Sequence, residues 1–273
     1  MIIILFCLLC IRNASTNKLM NQNINHSVCA WCYPDMSLDE LCIAARQIGI
    51  TGIDLVGPEG WPILKKHDLY SPMCNGAEIS LTEGFNDRQY HAQLFDNYVR
   101  MIPLVAAAGY TNLICFSGNC NGIDAETGLR NCVEGIKPLL QVAKEHKVVL
   151  VMELLNAKTD HPDYQCNKTP WGVELAKRLA SDNFKLLYDI YHMQIEEGDI
   201  IRTILENHQY IAHYHTGGVP GRNEIDETQE LNYPAIMRAI KNTGFKGFVA
   251  QEFIPTQANK IASLAKAVQI CDI

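Results

Sequence analysis

Short β-rich runs alternate along this sequence with longer segments of helical periodicity, and this alternation limits the folds that the chain can adopt. Eight runs are predicted as strands, at residues 24–33, 51–56, 74–81, 112–118, 148–155, 185–191, 210–215 and 248–253. Strands that alternate with helices form a parallel sheet, because each crossover returns the chain to the same edge. Eight β/α units in about 250 residues fit a closed barrel better than an open sheet, which usually has fewer strands and often a glycine-rich phosphate loop after the first one. No such glycine motif follows the first predicted strand, so we predict an α/β fold with a single (β/α)8 TIM barrel.

The segments between the strands carry helix signals of their own. Ser37 and Glu40 have the spacing of a capping box, and apolar residues recur after them at helical intervals. The same periodicity recurs twice near the C-terminus. Thr169 and Pro170 are interpreted as an N-cap followed by proline at the first helical position. These signals place helices in the crossovers, as a (β/α)8 barrel requires.

Composition and charge exclude several classes of function. The chain has 273 residues, of which 48% are hydrophobic and 19% charged, and these proportions are typical of a globular protein. The net charge is −7 with no basic block, whereas a nucleic-acid binder presents a stripe of lysine and arginine. The eleven cysteines lack the paired spacing of a zinc ribbon or a secreted disulfide scaffold. We therefore expect reduced thiols and no nucleic-acid partner.

Residues 1–22 are predicted to be an extension that precedes a barrel domain at 23–273. The stretch MIIILFCLLC is apolar but too short to span a bilayer as a helix, and a polar run follows it, as in a signal segment. Against a signal, no lysine or arginine precedes the apolar stretch, the residue before Cys10 is a poor lipoprotein cleavage context, and Met20 is an alternative start. Two interpretations stay open: a cytoplasmic protein without membrane contact, or a periplasmic or lipid-anchored one if residues 1–19 are a signal or anchor.

Four consecutive predicted strands end in residues that can bind a metal. The fifth ends in Glu153, the sixth in Asp189, the seventh in His215 and the eighth in Glu252. The carboxyl ends of barrel strands share one rim, where the active sites of such barrels lie. Three carboxylates gathered there would repel one another unless a cation neutralised them or their pKa values rose. Oxygen-rich ligands with one imidazole suit Mn²⁺ or Mg²⁺, or Co²⁺, so we predict a divalent metal site.

The same residues also have structural interpretations. An aspartate at a strand end often caps the next helix, whereas glutamate is a poor cap and is rarely buried without a partner. His213 is interpreted as a core histidine or as a neighbour that supports the ligand, and His215 is preferred as the ligand itself. Trp31 and Tyr33 are interpreted as core packing, with an apolar wall of the site as the alternative.

The residues around these strand ends resemble a known superfamily, the sugar isomerase/epimerase superfamily of xylose isomerase-like TIM barrels. The matching stretches are MELLN (152–156), YDIYHMQ (188–194), HYHTGGVPGRNE (213–224) and QEF (251–253). The run from HYH through ELNY (230–233) is most similar to the hydroxypyruvate isomerase family. The resemblance covers nearly the whole chain after residue 23.

This resemblance implies a role for each of six residues. It implies that the metal is held by Glu153, Asp189, His215 and Glu252. It implies further that Glu153 and Glu252 move the proton and that His192 and Arg222 bind substrate oxygens. Hydroxypyruvate isomerases commonly have glutamine at the position of His215, whereas ketose 3-epimerases have histidine there.

The two substrate-binding residues have alternatives as well. A guanidinium pairs well with a carboxylate, such as that of hydroxypyruvate or tartronate semialdehyde, and the loop before Arg222 contains glycines and a proline that would fix it. Arg222 would otherwise be a solvated loop arginine, since such loops are usually exposed. His192 would otherwise be a packing histidine at a helix start.

We therefore predict a metal-dependent isomerase or epimerase that acts on a small hydroxy-carbonyl substrate through an enediolate. The interconversion of hydroxypyruvate and tartronate semialdehyde is the first interpretation, and a ketose 3-epimerase or another sugar isomerase is the alternative. From another class, the chain could be a non-catalytic sugar-binding barrel, although the presence of both glutamates argues against it. An endonuclease of the endonuclease IV type shares the barrel but needs a basic DNA face. Homo-oligomerisation is compatible with any of these.

Overall fold

The computed structural model describes residues 23–273, and in this range seven strands form one parallel sheet. The predicted signal segment at residues 1–19 lies outside the described residues. The strands are β1 Asn25–Cys29, β2 Gly52–Asp54, β3 Asn112–Cys115, β4 Val149–Glu153, β5 Phe184–Asp189, β6 Ile211–Thr216 and β7 Phe248–Gln251. Their order is β2-β1-β7-β6-β5-β4-β3, so the first and last strands in the chain are neighbours, as in a sheet that curls on itself.

Helices occupy the crossovers. They are α1 Leu38–Ile48, α2 Trp61–Lys66, α3 His91–Ala108, α4 Ala125–His146, α5 Thr169–Leu179, α6 Ile190–Glu196, α7 Ile200–Asn207, α8 Tyr233–Asn242 and α9 Lys260–Cys271. The strands are buried almost throughout, which is expected when helices cover one face of a parallel sheet and the barrel interior covers the other. Among the described helices, none is both long and apolar enough to cross a membrane. The α/β barrel prediction is confirmed.

The third predicted strand, at 74–81, is wrong. Its place between β2 and β3 is taken by the segment 70–74, which bonds to both: Tyr70 pairs with Gly52, and Cys74 pairs with Val56 and with Leu113. After Cys74 the chain cannot continue as a strand, because the Glu78 carboxylate accepts the backbone N–H groups of Gly76 and Ala77, at 2.8 and 3.0 Å. Those N–H groups are then no longer available to a neighbouring strand.

The helix signals are confirmed at α1, where the Ser37 side chain accepts the Glu40 N–H and the Glu40 side chain accepts the Ser37 N–H. The interpretation of Thr169 as an N-cap is wrong by one residue. Thr169 is the first residue of α5, and its N–H and hydroxyl both donate to the Glu197 carboxylate, at 2.8 and 2.7 Å. A carboxylate from the end of α6 thus replaces the local cap.

The nine cysteines in residues 23–273 are free thiols, and eight of them are buried. This confirms the expectation of reduced thiols for the described part of the chain. Burial raises the pKa of thiols such as Cys115 and Cys132, which keeps them protonated and chemically quiet.

Candidate active site and metal centre

Four side chains converge at the carboxyl ends of neighbouring strands. Glu153 ends β4, Asp189 ends β5, His215 lies one residue before the end of β6, and Glu252 follows β7. One ligand atom of each lies within 4.8 Å of the ligand atoms of the other three, and all four residues are buried. The structure therefore brings together the whole set that the strand ends predicted as metal ligands.

The imidazole of His215 lies between the two glutamates. Its Nδ1 is 2.7 Å from Oε2 of Glu252 and 3.3 Å from Oε1 of Glu153. Burial favours the neutral imidazole, but the charge of Glu252 together with Cys29 and the hydrogen bond to Asp54 outweighs burial and raises the pKa of His215 well above its usual range. Likewise, burial is outweighed at Glu252 by Arg222 and His215, which hold the pKa of that carboxyl well below its usual range. Glu252 is therefore a carboxylate at neutral pH.

Asp189 has two roles in the structure, one for each of its oxygens. Oδ1 accepts the backbone N–H of His192 at 3.2 Å and so caps α6, as the structural interpretation of this aspartate expected. Oδ2 faces the cluster and lies 3.1 Å from Nη2 of Arg222. Burial raises the pKa of Asp189, whereas the charge of Arg222 opposes that rise. The cap and the candidate ligand are thus compatible in one side chain.

Arg222 is a partly buried member of the cluster rather than a solvated loop residue. Its Nη2 donates to Asp189 Oδ2 and to Glu252 Oε2, and its Nε donates to the backbone oxygen of residue 252 at 3.2 Å. The guanidinium lies between the rings of Trp31 and Tyr191, 5.2 and 5.3 Å from their centroids. Two carboxylates and two aromatic faces fix its orientation.

The loop that carries Arg222 is shaped by residues on either side of it. Gly218 and Asn223 form an antiparallel bridge that turns the chain back, and a Cβ on Gly218 would lie 2.4 Å from the backbone oxygen of residue 224. Arg222 has a φ of +58°, an uncommon conformation for a residue with a side chain. The Glu224 carboxylate anchors the loop, because it accepts the N–H and hydroxyl of Thr256 at 2.7 and 2.9 Å.

His192 is fully buried beside the cluster. Its Nδ1 is 2.7 Å from Nδ2 of Asn156, while its Nε2 has no hydrogen-bond partner within residues 23–273 and lies 3.7 Å from Asp189 Oδ2. Burial lowers the pKa of His192 well below its usual range, so the ring is neutral. Its predicted role as a substrate ligand stays a prediction.

The cluster fits a divalent metal ion. Among the described residues, Oε1 of Glu153 is buried with no hydrogen-bond partner, and a buried carboxylate oxygen without a partner is costly. Three carboxylates and one imidazole form an oxygen-rich donor set of the kind that such ions prefer.

A cavity of about 540 Å³ opens beside the cluster. Its lining includes both glutamates, Glu153 and Glu252, together with Arg222 and His161. The rest of the lining combines the polar side chains of Asn75, Glu78 and Ser80 with Phe116 and several aliphatic side chains. A second cavity of about 430 Å³ is also lined by Arg222 and shares Trp31 and His161 with the first. This is room for a small polar ligand in contact with both glutamates.

Three residues at or beside the site were missed or wrongly interpreted when only the sequence was considered. Trp31 was interpreted as core packing, yet it is 43% exposed and its Nε1–H donates to Glu252 Oε1 at 2.8 Å, whereas Tyr33 is buried as expected. Asp54 ends β2 and contacts His213 and His215. His161 lies on a loop, where no periodicity marks it.

Asp54 did carry a signal, because it interrupts the apolar run TGIDLV just as the four predicted ligands end theirs. Burial would raise its pKa, but His213 and His215 outweigh burial and lower the pKa of Asp54 to about 2. His213 is fully buried, and its Nε2 contacts Asp54 Oδ2. It therefore shares its contact at Asp54 with the neighbouring histidine, and its role as a neighbour that supports the ligand stays a prediction.

Comparison with known proteins gives a consistent picture. The family described as xylose isomerase-like TIM barrels matches residues 43–270. The hydroxypyruvate isomerase of Escherichia coli (strain K12) is 27% identical over 77% of this chain and 85% of that protein. The D-psicose 3-epimerase of Ruminiclostridium cellulolyticum is 31% identical over 81% of this chain and 69% of that protein. The putative hydroxypyruvate isomerase of Homo sapiens is 28% identical, but the alignment spans only 45% of this chain and 44% of that protein, so the chain spans about half the length of such relatives.

Among solved structures, an AP endonuclease of family 2 from Brucella melitensis superposes with a TM-score of 0.79. It is 23% identical and the match covers 89% of this chain and 98% of the other. At this identity the likeness concerns the fold alone.

Proposed function

The chain belongs to the family of xylose isomerase-like TIM barrels, and on this premise we propose that it is a metal-dependent isomerase that interconverts hydroxypyruvate and tartronate semialdehyde. The observation that carries the proposal is the placement of Glu153 and Glu252. Both border one cavity and both belong to the four-residue cluster that could hold a divalent ion. Names of relatives that include hydroxypyruvate isomerase support the same reaction.

The reaction requires a proton to leave one carbon and another to arrive at its neighbour. Glu153 and Glu252 come from β4 and β7, which are separated by β5 and β6 in the sheet, so their carboxylates reach the cavity from different strands. One glutamate takes the proton from carbon, the electron pair of the broken C–H bond forms the C=C bond, and the carbonyl pair moves onto its oxygen to give an enediolate. The other glutamate, in its protonated form, supplies a proton to the adjacent carbon, and the hydroxyl proton passes from the first oxygen to the second as the new carbonyl forms. Two positioned carboxylates can thus divide the two proton transfers between them.

Other side chains prepare these two glutamates for proton transfer. Trp31 and Arg222 each donate a hydrogen bond to a different oxygen of Glu252, so this carboxylate is held in one orientation. Oε1 of Glu153 has no hydrogen-bond partner among the described residues and only an ion-pair contact with His215 at 3.3 Å, so it is available to a ligand or a proton. The site thus contains one fixed carboxylate and one with a free oxygen.

A divalent ion held by Glu153, Asp189, His215 and Glu252 would stabilise the negative charge that develops on the substrate oxygens. We propose Mn²⁺ or Mg²⁺, with Co²⁺ as an alternative, because oxygen atoms dominate the donor set. A small-molecule substrate is the partner that a cavity of about 540 Å³ implies.

Arg222 is proposed to bind the substrate carboxylate. Within residues 23–273 its hydrogen bonds run through Nε and Nη2, so Nη1 is the nitrogen that remains for a ligand. A planar guanidinium that is already oriented by aromatic rings loses little freedom when it pairs with a carboxylate. His192 is proposed to donate to a substrate oxygen through Nε2, the atom without a partner in the described chain.

A second candidate is epimerisation of a free ketose at carbon 3. It is favoured by His215, since histidine at this position resembles the ketose 3-epimerases, and by the charge balance of Arg222, whose cation is already paired with two carboxylates. A neutral sugar would need no further cation.

The test is a panel of substrates assayed with Mn²⁺ or Mg²⁺, in which hydroxypyruvate is compared with free ketoses in deuterated water. Isomerase activity on hydroxypyruvate supports the first candidate, and deuterium incorporation at carbon 3 of a ketose supports the second. Glu153→Gln and Glu252→Gln should each abolish turnover with the fold retained. Glu134→Gln is the matched control, because Glu134 is an exposed partner of Arg88 on the surface. Turnover that survives either active-site change, or metal binding with no reaction on any substrate, would overturn the proposal.

A further inference from the structure

A buried pair, Asp54 and His213, contacts the side of His215 that faces away from the glutamates. Nε2 of His215 is 3.2 Å from Oδ2 of Asp54, and Nε2 of His213 contacts the same oxygen. All three side chains are completely buried. Neither Asp54 nor His213 borders the cavity, so neither is placed to contact a substrate there.

This contact crosses the interior of the barrel. Asp54 ends β2, whereas His213 and His215 lie on β6, and β1 and β7 separate these strands in the sheet. No local turn or strand pairing therefore explains why an aspartate approaches two histidines here. A buried carboxylate is costly unless its partners compensate for the lost hydration. The two histidines supply that compensation to Asp54, and this cost suggests that the contact has a function.

We propose that Asp54 and His213 are positioning residues that orient His215 toward the metal. Asp54 accepts the Nε2–H of His215 and so keeps that proton on Nε2. A metal would then displace the proton on Nδ1, the nitrogen that faces Glu153 and Glu252. His213 donates to the same Asp54 oxygen and keeps that carboxylate turned toward His215. This inference rests on the proposed function, since it assumes that His215 is a metal ligand.

The distances support separate roles for the two ring nitrogens of His215. Nδ1 of His215 lies 2.7 Å from Glu252 Oε2 and 3.3 Å from Glu153 Oε1, while Nε2 faces Asp54. An imidazole that donates its second N–H to a carboxylate has a fixed tautomer and orientation and is a more basic ligand, and removal of such a partner typically weakens metal binding about 10–100-fold.

The experiment compares Mn²⁺ affinity of the wild type and Asp54→Asn, measured from the signal of free Mn²⁺ in electron paramagnetic resonance. We expect Asp54→Asn to bind Mn²⁺ about 10–100-fold more weakly. The matched control is Asp272→Asn. Asp272 is also buried and lies 4.0 Å from a buried histidine, His26, but outside the groups that could hold a metal. The control should keep wild-type affinity.

A double-mutant cycle separates positioning from a general structural effect. If Asp54 acts through His215, Asp54→Asn should change Mn²⁺ affinity less than twofold in a His215→Gln background. Equal losses in both backgrounds would overturn the inference, as would an Asp54→Asn single variant within twofold of wild type.

A second measurement needs no variant at position 54. In the wild type saturated with Zn²⁺ as a diamagnetic probe, ¹⁵N spectra of histidine-labelled protein should show Nε2 of His215 protonated and Nδ1 ligated, with the resonance identified by its loss in His215→Gln. Ligation through Nε2 would overturn the inference. A wild type that binds neither Mn²⁺ nor Zn²⁺ would instead refute the proposed function, so the two failures are distinguishable.

Discussion

Replacement of Arg222 by methionine should have opposite effects on stability and on metal affinity. The guanidinium is the cation nearest to the carboxylate pair of Asp189 and Glu252, and its side chain is only 13% exposed. Removal of one partner from a buried ion pair typically costs about 3–5 kcal/mol, because the remaining charge is buried without compensation. Because His215 still pairs with Glu252 at 2.7 Å in the variant, we expect the metal-free protein to lose at most that amount of stability.

Metal affinity should change in the other direction. A divalent ion at the cluster must compete with Arg222 for Asp189 Oδ2 and Glu252 Oε2, since Nη2 donates to both. A hydrogen bond to a charged group is worth about 1.5–3 kcal/mol, and about 1.4 kcal/mol corresponds to a tenfold change in affinity. Loss of one such competing bond predicts that Arg222→Met binds Mn²⁺ about 10–100-fold more tightly, although turnover is lost.

The assay is urea unfolding with and without Mn²⁺, combined with calorimetric titration of the metal. Arg178→Met is the control, because Arg178 pairs at 2.8 Å with Glu126 and with Glu174 on the surface, where such pairs contribute about 0–1 kcal/mol. It should change neither quantity appreciably. A folded Arg222→Met protein whose Mn²⁺ affinity is equal to or weaker than that of the wild type would refute the reasoning that the guanidinium and the metal compete.

Three further changes test separate parts of the structure. Burial, partly offset by Asp272, lowers the pKa of His26 to about 4 from 6.5. Below pH 6.5 the unfolded chain therefore binds a proton that the native state does not. Urea unfolding should show that the wild type loses up to about 3 kcal/mol of stability between pH 6.5 and 4, and that His26→Gln does not. Trp31→Phe removes the N–H that donates to Glu252. Initial rates should show that kcat falls by at most about tenfold, with an unchanged melting temperature. Tyr233→Phe leaves the N–H and C=O at position 217, each 2.8 Å from the Tyr233 hydroxyl, without that partner, so urea unfolding should report a loss of about 1–3 kcal/mol for each group.

The barrel and the four-residue cluster were predictable from sequence for one physical reason. In a parallel barrel all strands point the same way, so the last residue of each strand lies at a common rim whatever the loops do. Glu153 and Asp189 are the last residues of their strands, and His215 and Glu252 lie within one residue of theirs. The position of a residue in a strand therefore translates directly into a position in space.

The prediction of a strand at 74–81 was wrong because the pattern of apolar side chains does not determine which partners the backbone N–H and C=O groups bond to. The pattern cannot reveal that the Glu78 side chain accepts two backbone N–H groups, or that residues 70–74 bond to both neighbouring strands instead. A segment that closes a barrel through one or two bridges has too few alternating residues for its period to be recognised.

The side chains on loops were harder to place, since a loop takes its direction from contacts made far away in sequence. Arg222 was predicted to bind a substrate, but its pairing with Asp189 depends on a turn that Glu224 anchors through Thr256. Trp31 follows β1 in a short 3₁₀ turn, and only the three-dimensional structure reveals that its indole reaches Glu252. The periodicity of the sequence does not predict where a loop side chain points.

The contact between Asp54 and the two histidines lies between these extremes, and it suggests a rule that sequence alone could have applied. Residues two apart in a strand point to the same face, so His213 and His215 both face the barrel interior. An interior histidine that binds a metal through one nitrogen needs an acceptor for the other. In a closed barrel that acceptor can come from any strand that ends in a carboxylate, and the unused one was Asp54 at the end of β2. A strand-end aspartate without an assigned partner is therefore a reason to search the opposite wall of the barrel for an imidazole.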